Sequence, residues 1–398
     1  MRLQTLRLTS FRAHAQTEVD LAPRINLFVG PNGAGKTNLL EAVHYLGLAR
    51  SFLTSSDSHV VRRGEAFFET EGRFEGVRRS SLRVRVVYAR DGGKRAFVNG
   101  SPLDRLVDLV GTVPVVVLSP ADFELTAGGP SERRRFLDQT LSQAYPVYLD
   151  DLLKYRRALK QRNALLTQVR RGASLAPGTL DAWSEELCLL GARLVGRRRR
   201  FLQRFGAFLA DAYRLLDAVG EEPSAEYQPS SRPDPFAEPD GETDSESEIS
   251  QGERDADELR RAVARVARRE REMGRTLVGP HLDEVVLRLD GFEVRPYASH
   301  GQHRTLGLAL RIATALFLRD HIEEPPLLLL DDVFGALDER RTRAILDLLT
   351  SDALGQSLIT AARAEPFLDS LYVDTAEHNA FSVVDGAVAP LSFSSPPA

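Results

Sequence analysis

The stretch Gly30-Pro31-Asn32-Gly33-Ala34-Gly35-Lys36-Thr37 constrains the fold of this chain more than any other part of the sequence. It follows the apolar run Ile25 to Val29 and precedes the helix-like segment Asn38 to Val43. A glycine-rich turn that joins a strand to a helix and ends in Lys-Thr is the P-loop pattern. The sequence therefore predicts an α/β core built around a phosphate-binding loop.

Each residue type in this loop has a chemical use. Glycines let the backbone curl so that successive N–H groups point inward at an anion. Lys36 can reach the β and γ phosphates, and Thr37 can give an oxygen to Mg²⁺. The alternative is a glycine-rich turn that only connects a strand to a helix, but the flanking segments favour a nucleoside triphosphate site with Mg²⁺.

Size and composition are those of a globular protein with two lobes. The chain has 398 residues, of which 42% are apolar. Its single cysteine, Cys188, permits no intramolecular disulfide. The first residues lack the apolar centre of a signal peptide, and no run of about 18 apolar residues is present to span a membrane. These features predict a soluble cytoplasmic protein with no membrane partner.

Charge is distributed unevenly along the chain. Residues 221–258 contain 14 acidic and two basic residues, whereas the rest of the chain contains 50 basic and 42 acidic residues. Low apolar content and abundant Glu, Asp, Ser and Pro predict that residues 221–258 are a disordered insertion. The basic remainder fits a polyanionic partner, although many basic domains have none.

Period-two alternation predicts antiparallel strands beside the P-loop core. Leu3 to Ser10 and Thr17 to Leu21 form one pair, and Leu82 to Tyr88 forms a hairpin with Lys94 to Val98. Val113 to Leu118 is predicted to be a buried strand.

Helical spacing of apolar residues begins at Ser131. Helices from Ser131 to about Arg170 and from about Leu180 to Val219 are predicted to form an antiparallel arm. A further helix is predicted from Leu259 to Met273, and Val285 to Val294 forms a second hairpin.

The segment Ser299-His300-Gly301-Gln302 stands directly before a helix predicted from His303 to about Arg319. Ser299 and Gln302 have the spacing of a capping box, which is the simplest interpretation of this segment taken alone. A capped helix N-terminus also presents free N–H groups and the positive end of the helix dipole to an anion. In a chain with a P-loop, a phosphate contact is the favoured interpretation.

A strand of leucines, Leu327 to Leu330, ends in Asp331-Asp332. In a P-loop fold the acid that organises Mg²⁺ stands at this position, so Asp331 is assigned that role. Asp332 could orient the attacking water or accept its proton. The alternative is that both acids only end the strand or cap the helix that begins near Asp338. The segment Ala336-Leu337-Asp338 has the spacing expected of a loop that crosses toward a partner subunit.

These motifs, separated by a helical arm, resemble the ATP-binding head of the SMC and ABC-type ATPases. Within that superfamily the chain is similar to the RecF family of bacterial DNA replication and repair proteins. The segments that carry this similarity span nearly the whole chain outside residues 221–258. They are Gly47-Leu48-Ala49-Arg50-Ser51-Phe52, Leu118-Ser119-Pro120-Ala121-Asp122, Arg133-Arg134-Arg135-Phe136-Leu137-Asp138, Leu159-Lys160-Gln161-Arg162-Asn163-Ala164-Leu165-Leu166 and Gly279-Pro280-His281.

The resemblance implies an α/β fold with an ABC/SMC-type ATPase head, an antiparallel β-subdomain and a helical arm. The head would comprise residues 1–120 and 275–398, and the arm residues 121–274. ATP would close two heads face to face, with Ser299 and Gly301 of one protomer completing the site at Lys36 of the other. The same resemblance places Gln302 and Asp338 at the nucleotide.

The implied function is ATP-dependent binding of gapped, single-stranded or junction DNA by a homodimer in recombinational repair and replication-fork maintenance. RecO and RecR are the implied partners, and the three proteins would help to load RecA. The alternative is an ABC-type or other P-loop ATPase that does not act on DNA.

Two positions depart from the superfamily pattern. Asp332 stands where Glu is usual, and its shorter side chain should hold a water less closely, which predicts a slow, switch-like ATPase. After Ser357 to Thr360, Ala361-Ala362 replace the histidine of ABC transporters. RecF-like proteins share both features. Arg12 matches a head position near the nucleotide phosphates, and a solvent-facing turn arginine is the alternative.

Arginine clusters are candidate contacts to DNA phosphates because guanidinium groups neutralise phosphate charge and release counterions. The candidates are Arg133, Arg134, Arg135, Arg197, Arg198, Arg265 and Arg268. A solvated helix surface is the alternative for each of them. No interleaved aromatic residues suggest base stacking, so recognition of backbone and junction shape is expected.

Other classes of P-loop protein fit the sequence less well. A transporter subunit would need the missing histidine and a membrane partner, and a small-molecule kinase would lack the segment Ser299 to Gln302. A nuclease would need more metal-binding acids than Glu377 and Asp385 near the end of the chain.

Overall fold

The structure is a computed structural model that describes residues 1–216, 220–231, 248–351, 353–364, 367 and 376–391. It contains two compact units. Unit 1 comprises Met1–Phe123, Phe208–Gly220 and His300–Ala398, and unit 2 comprises Glu124–Ala207 and Glu221–Ser299. This division differs from the lobes expected from sequence at Phe208–Gly220 and at residues 275–299.

The strands are β1 (Arg2–Phe11), β2 (His14–Asp20), β3 (Ile25–Val29), β4 (Phe67–Glu75), β5 (Leu82–Ala89), β6 (Gly93–Val98), β7 (Ser101–Pro102), β8 (Val115–Leu118), β9 (Pro223–Gln228), β10 (Glu284–Leu289), β11 (Phe292–Glu293), β12 (Leu327–Asp331), β13 (Ser357–Ala361), β14 (His378–Val384) and β15 (Ala387–Pro390).

The α-helices are α1 (Lys36–Leu48), α2 (Phe123–Ala127), α3 (Pro130–Ala144), α4 (Pro146–Arg170), α5 (Thr179–Leu216), α6 (Glu248–Met273), α7 (Val294–Tyr297), α8 (His300–Ile322) and α9 (Glu339–Thr350). None of the helices in the described part of the chain combines the length and apolar character needed to span a bilayer.

Unit 1 contains an antiparallel sheet in the order β2-β1-β4-β5-β6-β7. The alternating pattern that predicts these strands corresponds to alternating burial. In β5, Leu82, Val84 and Val86 are fully buried, whereas Arg83 is exposed. The buried side chains of this sheet join one core with the apolar residues of α1, among them Leu39 and Leu46.

The second sheet of unit 1 has the order β15-β14-β3-β13-β12-β8. Strands β8, β12, β13, β3 and β14 are parallel, and only β15 runs antiparallel to its neighbour. The leucines of β12 are at most 2% exposed, as expected for a central parallel strand covered on both faces. Because the carboxyl ends of parallel strands meet at one edge, the P-loop and Asp331 lie at the same edge of this sheet.

Unit 2 contains the long helices α3, α4 and α6, the part of α5 up to Ala207, and a small sheet in the order β11-β10-β9. The single helix predicted from Ser131 to Arg170 is two helices, because Pro146 has no N–H and disfavours a helical Tyr145, which is extended at φ −133° and ψ 103°. Helices α4 and α5 are antiparallel, since Arg162 contacts Ser184 and Tyr148 contacts Arg198.

Part of the acidic segment predicted to be disordered is ordered. Strand β9 pairs with β10, and the hydroxyl of the buried Tyr227 donates to Asp283. The N–H of Ser230 donates to the same carboxylate at 2.7 Å. The prediction of disorder rests on polar composition, and it fails here because strand pairing and these hydrogen bonds stabilise the segment. Helix α6 begins at Glu248, and residues 232–247 of the predicted insertion lie outside the described residues.

Candidate nucleotide-binding site

The P-loop connects β3 to α1 in unit 1, as its sequence context predicts. Gly33 and Gly35 have φ angles of 83° and 105°, in the left-handed region that glycine adopts without strain. A Cβ atom on Gly30 would lie 2.1 Å from the carbonyl oxygen of Val383 in β14. Gly30 is therefore required for close packing of the loop against the sheet.

Two residues from other segments hold the back of the loop. His14 Nε2 lies 3.0 Å from the carbonyl oxygen of Gly35. The N–H of Gly386 donates to the carbonyl oxygen of Ala34 at 2.9 Å. A carbonyl oxygen only accepts, so Nε2 of His14 carries a proton. Burial lowers the pKa of His14. Nothing in the sequence indicates this contact, because His14 lies between the predicted strands Leu3 to Ser10 and Thr17 to Leu21.

Lys36 lies at the first position of α1 with its side chain over the loop. Its Nζ donates to the carbonyl oxygens of Gly30 at 2.6 Å and Pro31 at 2.9 Å. Burial lowers the pKa of Lys36, and the charges of Asp332 and Asp331 partly oppose this shift. The ammonium group therefore lies within the electrostatic influence of both predicted acids.

Thr37 and Asp331 are brought together from positions 294 residues apart. Thr37 Oγ1 donates to Asp331 Oδ1 at 2.7 Å, and Thr360 Oγ1 donates to the same oxygen at 2.8 Å. Hydroxyl and carboxylate oxygens are ligands that suit Mg²⁺, so this pair fits the metal that a P-loop site implies. Thr360 is a site residue that the sequence prediction did not include.

Asp332 is exposed and has a φ angle of 50°, in the left-handed region. Its N–H donates to Thr360 Oγ1 at 3.1 Å. A hydrogen bond from β13 therefore helps to hold the backbone that carries the Asp332 carboxylate.

Arg12 is engaged by a carboxylate of α1. Its Nε and Nη2 donate to the two oxygens of the fully buried Glu41 at 2.9 and 2.8 Å, and its Nη1 donates to the carbonyl oxygen of His59 at 2.9 Å. The solvent-facing alternative therefore does not describe Arg12. Its guanidinium is bound to protein groups in the structure, and its contact with a nucleotide phosphate stays a prediction.

The other predicted nucleotide contacts lie at helix starts. Ser299 is the last residue of unit 2, and α8 begins at the next residue, His300, three residues earlier than predicted. Ser299 and Gly301 are exposed and Gln302 is half-buried. Asp338 is the N-cap of α9, where it accepts from the N–H of Arg341 at 2.8 Å, as in the structural alternative.

The candidate DNA contacts in unit 2 separate by burial. Arg198 is 2% exposed and donates to Tyr148, Pro280 and Asp138, and Arg133 donates to both carboxylate oxygens of Glu284 at 2.9 Å. These bonds hold both side chains in the interior of unit 2, so the more exposed candidates carry the prediction of DNA contacts.

The remaining candidates are more accessible. Arg134, Arg197 and Arg265 are bound to Asp283, Asp151 and Ser231, respectively. Arg135 is exposed, and the side chain of Arg268 is 93% exposed. Helical periodicity alone could not separate these positions, because burial within unit 2 comes from several helices and a sheet.

Comparison with known proteins identifies the family. Residues 2–377 match the family model described as RecF/RecN/SMC N terminal domain. The DNA replication and repair protein RecF of Salinibacter ruber is 52% identical over 387 residues, which cover 97% of this chain and 91% of that protein.

Solved structures agree with this similarity. A structure of the recombination mediator protein RecF-ATP in the RecFOR pathway is 28% identical and superposes with a TM-score of 0.86, covering 98% of both chains. The Smc head domain of Pyrococcus furiosus is 13% identical with a TM-score of 0.55 over 99% of this chain and 96% of that one, which shows a shared fold. The sequence and structural matches together show that this chain belongs to the RecF family of DNA replication and repair proteins.

Proposed function

We propose that this protein binds ATP with Mg²⁺ at the P-loop and uses slow ATP hydrolysis as a switch for DNA binding. The observation that carries the proposal is the convergence of Lys36, Thr37 and Asp331 at one edge of the parallel sheet. A similar RecF structure is described with ATP, which supports ATP as the ligand. The deep similarity to DNA replication and repair proteins supports DNA as the partner.

The residues of the site divide the chemical work. The backbone of Gly30 to Gly35 and the Lys36 ammonium would bind the phosphates, and Thr37 with Asp331 would hold the metal. Bound Mg²⁺ would supply positive charge to neutralise the phosphate oxygens. Asp332 orients the attacking water and accepts its proton. The hydrogen bonds of Lys36 to Gly30 and Pro31 are those that the phosphates would replace.

In this proposal ATP also joins two copies of the chain. The start of α8, with Ser299, Gly301 and Gln302 exposed or half-buried, offers N–H groups to the γ phosphate held by Lys36 of the partner. DNA binds across the dimer through exposed arginines such as Arg135 and Arg268. The RecFOR pathway named for the similar structure supports RecO and RecR as partners.

Substitution Lys36→Met tests the proposal. We expect ATP affinity to fall at least about tenfold, because hydrogen bonds to a charged group contribute about 1.5–3 kcal/mol. ATP should also no longer increase the affinity for gapped DNA. Nucleotide binding is measured by titration with a fluorescent ATP analogue, and DNA binding by anisotropy on gapped, single-stranded and duplex DNA with and without ATP.

Lys154→Met is the matched control, since Lys154 is an exposed lysine of α4 in unit 2. It should bind ATP like the unaltered protein. If Lys36→Met binds both ATP and DNA like the unaltered protein, the proposed function is wrong. DNA binding that depends neither on ATP nor on the structure of the DNA would leave only a generic P-loop ATPase.

A further inference from the structure

We infer that Thr360 is a positioning residue for both carboxylates of the site, an inference that rests on the proposed function. Thr360 lies in β13, beside the strand that carries Asp331, and is 1% exposed. Its hydroxyl donates to Asp331 Oδ1 at 2.8 Å and accepts from the N–H of Asp332 at 3.1 Å. One hydroxyl therefore contacts the metal-binding acid through its side chain and the water-orienting acid through its backbone.

The bond to Asp331 fixes which carboxylate oxygen remains available. Thr37 and Thr360 both donate to Oδ1, and Oδ2 has no hydrogen bond among the residues that the structure describes. The carbonyl oxygen of Leu330 lies farther from the Thr360 hydroxyl, at 3.5 Å, so the charged acceptor is preferred. Because Thr37 gives its proton to Asp331, lone pairs on Thr37 Oγ1 stay available to a cation.

The bond to Asp332 holds a backbone that is otherwise unfavourable. Asp332 has a left-handed φ of 50°, a conformation that is less favourable than the right-handed one although aspartate tolerates it better than most residues. The Thr360 hydroxyl supplies a contact that stabilises this conformation. Ala361 and Ala362 follow, so Thr360 is the polar side chain that the end of β13 contributes next to the two acids.

Thr360→Val and Thr360→Ser form a matched pair of variants. Valine keeps the branched shape and the strand preference of threonine but removes the hydroxyl, whereas serine keeps the hydroxyl. Affinity of the full chain for a fluorescent ATP analogue is measured in Mg²⁺ and in EDTA. We expect Thr360→Val to bind about tenfold more weakly in Mg²⁺ and unchanged in EDTA, the loss typical of groups that orient metal ligands. Thr360→Ser should bind within about twofold of the unaltered protein in both conditions.

The ratio of affinities in Mg²⁺ and EDTA separates positioning from general damage. An equal loss in both conditions would mean that Thr360→Val distorts the loop itself and would overturn the inference, as would no loss at all. If the unaltered protein binds ATP more tightly with Mg²⁺ and Thr360→Val does the same, only this inference is wrong. If the unaltered protein binds no ATP, the proposed function and the inference are both wrong.

Discussion

At the scale of single residues, burial sets the charge of His281 in unit 2. The hydroxyl of Tyr155 lies 2.6 Å from His281 Nδ1. Burial lowers the pKa of His281 to about 4 and raises the pKa of Tyr155 well above its ordinary value. The tyrosine therefore keeps its proton and donates it to a neutral imidazole.

This arrangement predicts loss of stability in acid. A histidine in the unfolded chain takes a proton near pH 6.5, whereas folded His281 takes one only near pH 4, so stability falls as the pH falls through this window. At pH 5.5 the contribution of His281 is roughly 1 kcal/mol lower than at neutral pH.

His281→Asn should make the free energy of unfolding less dependent on pH, because its side-chain oxygen can accept the Tyr155 bond and does not titrate. The measurement is urea unfolding at pH 7.5 and pH 5.5 for both proteins. The same decrease in both would contradict this role of His281.

The P-loop, Thr37 and Asp331 could be predicted from sequence because each stands within a short motif next to an apolar strand. His14 and Thr360 could not be predicted. Their partners are distant in sequence, and a single histidine or threonine at a strand end has many ordinary roles. The pairing of Arg12 with Glu41 could not be predicted either, because nothing in the sequence indicates that Glu41 is fully buried on α1.

At the scale of elements, a buried ion pair joins α4 to α6. Arg162 and Glu270 are each at most 2% exposed, and their side chains are 2.6 Å apart. Arg162 also donates to Ser184 in α5 and to Thr276, and Glu270 accepts from the N–H of Leu277. Three helices and the segment after α6 therefore depend on one pair of charges.

Arg162→Met should lower the free energy of unfolding by about 3–5 kcal/mol, because it leaves the Glu270 carboxylate buried without its partner. Arg268→Met is the control within α6, where an exposed Arg268–Glu272 pair should contribute less than about 1 kcal/mol. Chemical unfolding compares the two variants. Similar losses in both would show that burial of the first pair has no special effect.

The arm helices could be placed from the periodicity of their apolar residues. The break at Tyr145 could not, because it depends on the rule that a residue before proline disfavours the helical conformation, and the apolar periodicity continues across it. Strand β9 could not be predicted, because its pairing partner β10 follows it by more than 50 residues. Its charged and polar residues predict disorder, and only Tyr227 is buried in that strand.

At the scale of the whole molecule, the proposed dimer needs exposed surface at the start of α8. Ser299, His300 and Gly301 are exposed. Substitution Ser299→Arg should leave ATP binding intact and abolish the ATP-dependent dimer, since a large cation would occupy the phosphate position of the partner. Sedimentation with ATP measures the outcome. A dimer that persists would reject the role of Ser299 across the two protomers.

The sheet that carries the P-loop also determines when the site can form. Strand β3 lies between β13 and β14, which follow it by more than 300 residues. At typical rates of synthesis, roughly 5–20 residues per second, the P-loop leaves the ribosome roughly 20–70 s before β13 or β14 does. A chain that is still being made therefore has a phosphate-binding sequence but no phosphate-binding site. In the proposed function, a nascent copy would neither bind ATP nor close on DNA before β13 and β14 have joined β3.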